Sequence, residues 1–426
     1  MCLALGEGGM DCRVPVGDEP LNTKVASPQV REAALITILA TMGCYTSVLW
    51  VFRDELQRYL HVNDQGYGLL ISVGLVSSAL SGVAAGVLIE RRGIERVLRV
   101  SFGGLAIGMF AVAASTTWGT MVLAVALVSA FLGSTSLAVQ AYLVDCFPDN
   151  RRRAISINLT VVAAGAVLLP LFAELLLKLP KMAPGVTFSG VLHVPFAVVG
   201  VLMLFGTRLR LRERVERVAE VADPAAANAR GARMRPGVLL LLVLLAAHGG
   251  ADNSLAVWSA RVLGSASFPV QSVPPGVILS AQALAYLLSR SMLALLPERF
   301  DDRPLMIIPA LLGGSLCIAG LLSRSQLVLG IALVAGAFLW SFEFPVFAAR
   351  IAHATGSAFG KMQAAGLLGA GMLGFALANV MGLLGSRLGD EKLWLILLLP
   401  AAVFLATGVL GAVWVVRYGR AADTAL

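Results

Sequence analysis

Twelve mainly apolar stretches of about 20 residues or more, set almost end to end, constrain this chain more than any other feature. They run 32–52, 65–89, 94–115, 119–145, 154–177, 186–206, 237–260, 275–296, 304–323, 327–351, 361–385 and 393–416. About 20 apolar residues in a helix cross the hydrocarbon core of a bilayer. Helices are also the one open-chain structure that pairs every backbone N–H and C=O inside lipid. The expected fold class is therefore an all-α membrane protein with twelve transmembrane helices. Composition agrees: 58% of residues are hydrophobic and 14% charged, with a mean hydropathy of +0.83. Soluble chains carry about a quarter charged residues, so an ordinary soluble protein is excluded.

The basic residues orient the chain. With both ends on one side, 23 of the 33 Lys and Arg fall in the tails and the loops of that side, and 8 fall opposite. Positive charge collects on the cytoplasmic face, so both termini are expected in the cytoplasm and the plasma membrane is the expected location (the inner membrane in a bacterium). The net charge of +8 is this asymmetry and calls for no nucleic-acid partner. The longest polar interruption after the N-terminal tail divides the spans six and six. The expected organisation is a tail at 1–30, a six-helix half at 31–206, a linker at 207–236, a second half at 237–417 and a tail at 418–426. The first thirty residues lack the layout of a cleaved signal, so the first span is expected to act as the insertion signal. Five scattered cysteines show no metal or disulfide spacing, and no cofactor is expected. The expected partners are a small-molecule solute and membrane lipid, with the chain acting as a monomer.

Between the second and third spans stands Gly86-Val-Leu-Ile-Glu90-Arg91-Arg92-Gly93. This resembles the cytoplasmic loop signature of the major facilitator superfamily, Gly-x-x-x-Asp-Arg-x-Gly-Arg-Arg. Glu90 stands for Asp, and the final basic pair reads Ile94-Glu95 with Arg96 one place late. The second half echoes the motif in Leu296-Pro-Glu298-Arg299, as parallel repeats in transporters do. The resemblance implies a secondary transporter of two rocking halves. It also implies a gate: Gly86 lets helix 2 approach helix 11, Glu90 faces the positive N-terminus of helix 11 near Gly360, and Arg91 pairs with Asp145 at the end of helix 4. The plain alternative is that these charges only set topology.

Ionisable groups at membrane depth are costly and face protein or water. His248-Gly249-Gly250-Ala251-Asp252-Asn253-Ser254 interrupts helix 7, and Asp252 lies about 24 Å along it. Glycines and small polar residues there are expected to loosen the helix around a cavity, with Asp252, Asn253 and Trp258 facing solute. The alternative is a glycine-rich packing crossing with Asp252 paired to Arg261. In helix 10, Glu343 lies near mid-membrane beside Pro345, which frees a backbone carbonyl. A carboxylate at that depth is protonated, paired or solvated. A structural pair with Arg290 or Arg350 weighs equally with a solute or proton site. Gly250-Ala-Asp252-x5-Trp258 and Phe344-Pro345-Val-Phe347-Ala resemble patterns in helices 7 and 10 of the fucose:proton symporter branch. The helix 1 and helix 4 carboxylates of that branch fall here on Trp50 and Ser136, and its helix 4 asparagine on Gln140.

The expected function is secondary active transport of a small polar organic solute, sugar-like by preference, by alternating access. Asp252, Asn253, Trp258, Glu343, Gln140 and Trp50 are the candidate solute contacts, and Glu343 and Asp252 the candidate proton-coupling acids. A proton-antiport exporter of drugs or metabolites is the alternative, and a non-transporting membrane sensor a more distant one. Four scattered histidines and no nucleophile–base spacing argue against an enzyme.

Overall fold

The computed structural model describes residues 28–62, 64–182, 185–209, 235–268, 270, 272–297 and 300–423; among them there is no strand. Eleven helices in that set are long and apolar enough to cross a bilayer. The twelfth span is the first, and it comes in pieces: Pro28–Gly43, a tight 3-10 turn at Cys44–Ser47, Val48–Val51 and Arg53–Leu60. The second to sixth spans are Asp64–Arg92, Ile94–Ala113, Trp118–Cys146, Arg151–Met182 and Phe188–Gly206. The seventh to ninth are Pro236–Leu263, Pro275–Leu295 and Ile308–Leu322. The tenth is split into Gln326–Trp340 and Glu343–Thr355, the eleventh is Phe359–Leu388, and the twelfth is Leu398–Asp423.

Two features depart from the reading of the sequence. Helix 7 is one continuous helix, not a loosened one. Its glycine pair is used for approach: a Cβ on Gly249 would stand 2.8 Å from the Ala370 side chain, and one on Gly250 2.8 Å from Leu373. Small residues let backbones of membrane helices come together, and Ser254 seals the crossing by donating to Gly250 (2.7 Å) and to Gly374 of helix 11 (3.3 Å). Helix 10 is the broken one. Pro345 has no N–H for residue 341, and its ring crowds that carbonyl; the chain turns at Ser341–Phe342 and restarts as a helix at Glu343.

Across the halves, helix 2 packs on helix 11 and helix 5 on helix 8. The apolar core comes in three clusters. One is built almost wholly from the first half, one from the second, and the third draws on both. The shared cluster joins Ala141, Ile155 and Leu159 to Leu245, Val346 and Trp414, and it lies at the end of the bundle that carries the arginine-rich loops (the basic end).

Polar contacts close the same end. Arg152, buried, donates to the carbonyls of Leu296, Pro297 and Phe300, just past helix 8. Arg151 donates to Ala352 in the last turn of helix 10 (3.1 Å). Guanidinium groups here add charge-assisted bonds to carbonyls at and just past the helix ends and complement the negative dipole ends of those helices. Arg152→Ala is expected to weaken this closure by about 1–3 kcal/mol, a shift of roughly 5–150-fold in population. Maleimide labelling of Ala141→Cys in an otherwise cysteine-free chain reads it directly. Labelling at the unaltered slow rate would show that Arg152 does not hold the halves together.

Candidate functional site

The break in helix 10 places Glu343 at the first residue of a new helix, fully buried. Nδ1 of His248, on helix 7, lies 2.9 Å from its Oε2. His248 is itself buried, between the rings of Phe347 and Phe404, which meet it edge-on at 6.3 and 5.7 Å. Oε1 of Glu343 is buried with no hydrogen-bond partner. A carboxylate and an imidazole thus share one hydrogen bond in a shell of aromatic carbon, leaving an acid oxygen unused.

Neither arginine weighed for Glu343 is its hydrogen-bond partner. Arg350 bonds Asp302 through Nε at 3.0 Å and through a second nitrogen. Arg290 lies with its guanidinium 5.0 Å from the centre of the Tyr286 ring and donates to the Leu159 carbonyl.

A second group lies on the other side of Trp340. The indole N–H donates to the Tyr286 hydroxyl at 2.7 Å, and that hydroxyl donates to Asp252. Trp340 stacks on Phe404 with ring centres 4.4 Å apart, in space left by the missing side chain of Gly313, whose Cβ would come within 2.8 Å of the indole. The aromatic stack therefore joins the His248–Glu343 pair to Asp252. Asp252 is half-buried and Asn253 is exposed. Arg261 does not hold Asp252; it pairs with Asp390 at 3.1 Å. Trp258 is half-buried, with its ring 3.3 Å from the site of a Gly382 Cβ and its N–H buried without a partner.

The loop motif lies where helices 2 and 11 meet. A Cβ on Gly86 would stand 2.9 Å from both the Gly360 carbonyl oxygen and the Ala364 Cβ. Glu90 forms an ion pair with Lys361, in the first turn of helix 11. Gly93 starts helix 3 at φ 80°, a conformation that favours glycine. Arg91 and Asp145 are both exposed at the basic end. Glu298 and Arg299 lie outside the described residues, as does the side chain of Trp50, whose backbone is in Val48–Val51. Gln140 is buried, and its carbonyl oxygen accepts from Gln363 of helix 11 at 3.2 Å, another bond between the halves.

His248, Tyr286, Trp340, Gln363 and Arg152 are the partners that sequence reasoning does not assign. One signal was available: Gln282, Tyr286, Ser289 and Arg290 recur at helical spacing in helix 8, a polar stripe with the period of a single face.

Comparison with known proteins bears on the whole arrangement. No curated protein matches the sequence. Among solved structures, the fold is similar to the transporter FucP in an outward conformation, with TM-score 0.70 at 14% identity over 90% of this chain and 98% of that one. A variant of the E. coli fucose:proton symporter FucP gives 0.70 at 15% identity, over the same shares. The proton:xylose symporter XylE bound to 6-bromo-6-deoxy-D-glucose gives 0.71 at 14% identity over 92% and 95%. The family model of the Major Facilitator Superfamily matches residues 33–275, more than half the chain. With its twelve membrane-spanning helices in two halves, this chain belongs to the Major Facilitator Superfamily.

Proposed function

We propose that the protein is a secondary active transporter that carries a small polar organic solute, sugar-like in its hydroxyls, across the plasma membrane by alternating access. It acts as a monomer without a cofactor, and both termini face the cytoplasm. The observation that carries this reading is the buried Glu343–His248 pair at the break in helix 10. Discontinuous helices and unspent carboxylates at membrane depth serve solute and ion sites in transporters. Asp252, Asn253 and Trp258 meet the solute. Glu343 is the acid whose proton is linked to transport. The structural neighbours that move sugars with protons support the same class.

In this account the closed basic end is the inner gate. Gly86, Glu90–Lys361, Gln140–Gln363 and Arg152 hold it, with Arg91 and Asp145, and in the second half Glu298 and Arg299, as further members. Gln140 and Trp50 are solute contacts of the state in which that end opens.

One feature favours the exporter reading: an apolar cleft of about 510 Å³ between helices 8 and 10, lined by Val277, Ala281, Leu288, Ile331 and Phe338 among others. A solute dissolved in lipid would enter that way. Thermal melting of the detergent-purified protein with L-fucose, D-xylose, polyols and cationic drugs separates the two. A folded-state ligand at 100 times its Kd stabilises by about 2.7 kcal/mol. Stabilisation by a sugar or polyol, lost in Asp252→Asn, is the expected result; stabilisation by bulky cations alone would overturn it.

A further inference from the structure

We propose that Arg290 holds a negatively charged group of the solute, so that the transported molecule is a polyhydroxylated organic anion with a carboxylate or phosphate at one end. This rests on the transport reading above and names its substrate class.

Arg290 lies inside helix 8, and the guanidinium is the most demanding group to leave uncompensated there. The other charged groups of this region find strong partners: Arg350 has Asp302, and Glu343 has His248. Arg290 has one long bond, 3.4 Å, from Nη1 to the Leu159 carbonyl, and one ring face. Its Nε is buried with no acceptor. No described carboxylate reaches it in an ion pair. A guanidinium carries five N–H donors in a fixed fork suited to carboxylate or phosphate, and here most of that capacity is unspent.

The same two helices carry other polar atoms that find no partner. Ser289 Oγ on helix 8, and Ser156 Oγ and Asn158 Oδ1 on the facing stretch of helix 5, are buried and have no partner. Native structures leave few such atoms unpaired. Four orphaned groups, on the two helices that meet across the halves at Leu159 and Arg290, fit a ligand that supplies both acceptors and donors.

The placement also sets the length of the molecule. Arg290 lies against the face of Tyr286, and Asp252 accepts from the hydroxyl at the other end of that ring. A cation and a hydroxyl-binding acid are thus separated by one phenol. A sugar acid or sugar phosphate presents an anion at one end and hydroxyls along the rest, whereas a neutral sugar leaves Arg290 with only the charge of Asp252 across the ring. Because the Leu159 bond crosses between halves, the ligand would replace it as the halves move.

Titration calorimetry on the purified full-length protein tests this with D-glucuronate, D-galacturonate and D-glucose 6-phosphate against D-glucose, D-galactose and L-fucose. The expected result is binding of at least one anion at least tenfold tighter than its neutral counterpart, with the preference abolished in Arg290→Gln. The uronates and the phosphate tell carboxylate from phosphate. Arg290→Lys keeps the charge but not the fork and is expected to lose about tenfold for the anion with no change for neutral sugars; it carries the test if Arg290→Gln does not fold. Equal binding of neutral sugars, or a preference that survives both substitutions, overturns the proposal and leaves the transport reading standing. Binding of none of the six overturns the sugar-like reading as well.

Discussion

Replacing Gly86 with leucine is expected to reduce transport to below about a tenth of the unaltered rate and to leave the basic end of the bundle open. The first atom of any side chain there would stand 2.9 Å from the Gly360 carbonyl oxygen and 2.9 Å from the Ala364 Cβ. Both belong to the rigid backbone or to the shortest side chain of helix 11, so neither can rotate away. Overpacking of this kind costs about 1–3 kcal/mol. In the proposed cycle it falls on the closed conformation alone, because opening of the inner gate would separate helices 2 and 11. The resulting shift is roughly 5–150-fold in population, visible as faster labelling of Ala141→Cys. A control lies one turn away: a Cβ on Gly82 meets nothing within 4 Å. Gly82→Ala is expected to transport and label as the unaltered protein does, whereas Gly86→Ala already brings its Cβ to the 2.9 Å contacts. If these two alanine variants behave alike, the glycine is not a contact of the gate.

Glu343→Ala is expected to be the most destabilising substitution in the site. It removes the one hydrogen-bond partner of His248 Nδ1 among the described residues and leaves a void in a shell of aromatic carbon. Leaving a buried hydrogen-bonding group without its partner costs about 1–3 kcal/mol, and the cavity adds to that. Glu343→Gln keeps a side chain of the same shape that bonds the imidazole, and is expected to melt near the unaltered protein. The double variant His248→Ala with Glu343→Ala is expected to cost less than the two single changes together, by about 0.5–3 kcal/mol of coupling. Thermal melting of the four proteins in detergent measures this. Strict additivity would mean that the pair does not interact as its geometry implies.

Much of this was legible in the chain. The spans follow from apolar length, because a bilayer leaves the backbone no alternative to a helix. Gly86 and Glu90 meet helix 11 where the motif places them, and Pro345 marks the break in helix 10, since proline acts four residues back, on Ser341. What could not be read was who faces whom. His248 and Glu343 are 95 residues apart, and aliphatic spans carry no register between helices. The glycines of helix 7 illustrate the ambiguity. A glycine pair serves an unwound segment or a close crossing equally well, and only Ala370 and Leu373 opposite it decide for the crossing. Asp252 had the same difficulty: its acceptor role toward Tyr286 depends on a helix whose polar stripe is visible but whose neighbour is not.

Uptake into proteoliposomes under an imposed proton gradient decides whether the buried acid of helix 10 couples solute movement to protons. The labelled solutes are L-fucose, D-xylose, D-glucose and D-glucuronate, with Glu343→Gln beside the unaltered protein. The account requires that at least one of them accumulates only when the gradient is present. Glu343→Gln would still exchange that solute at equilibrium but would no longer concentrate it. Accumulation by Glu343→Gln equal to that of the unaltered protein would contradict the account, because the buried acid would then have no part in coupling.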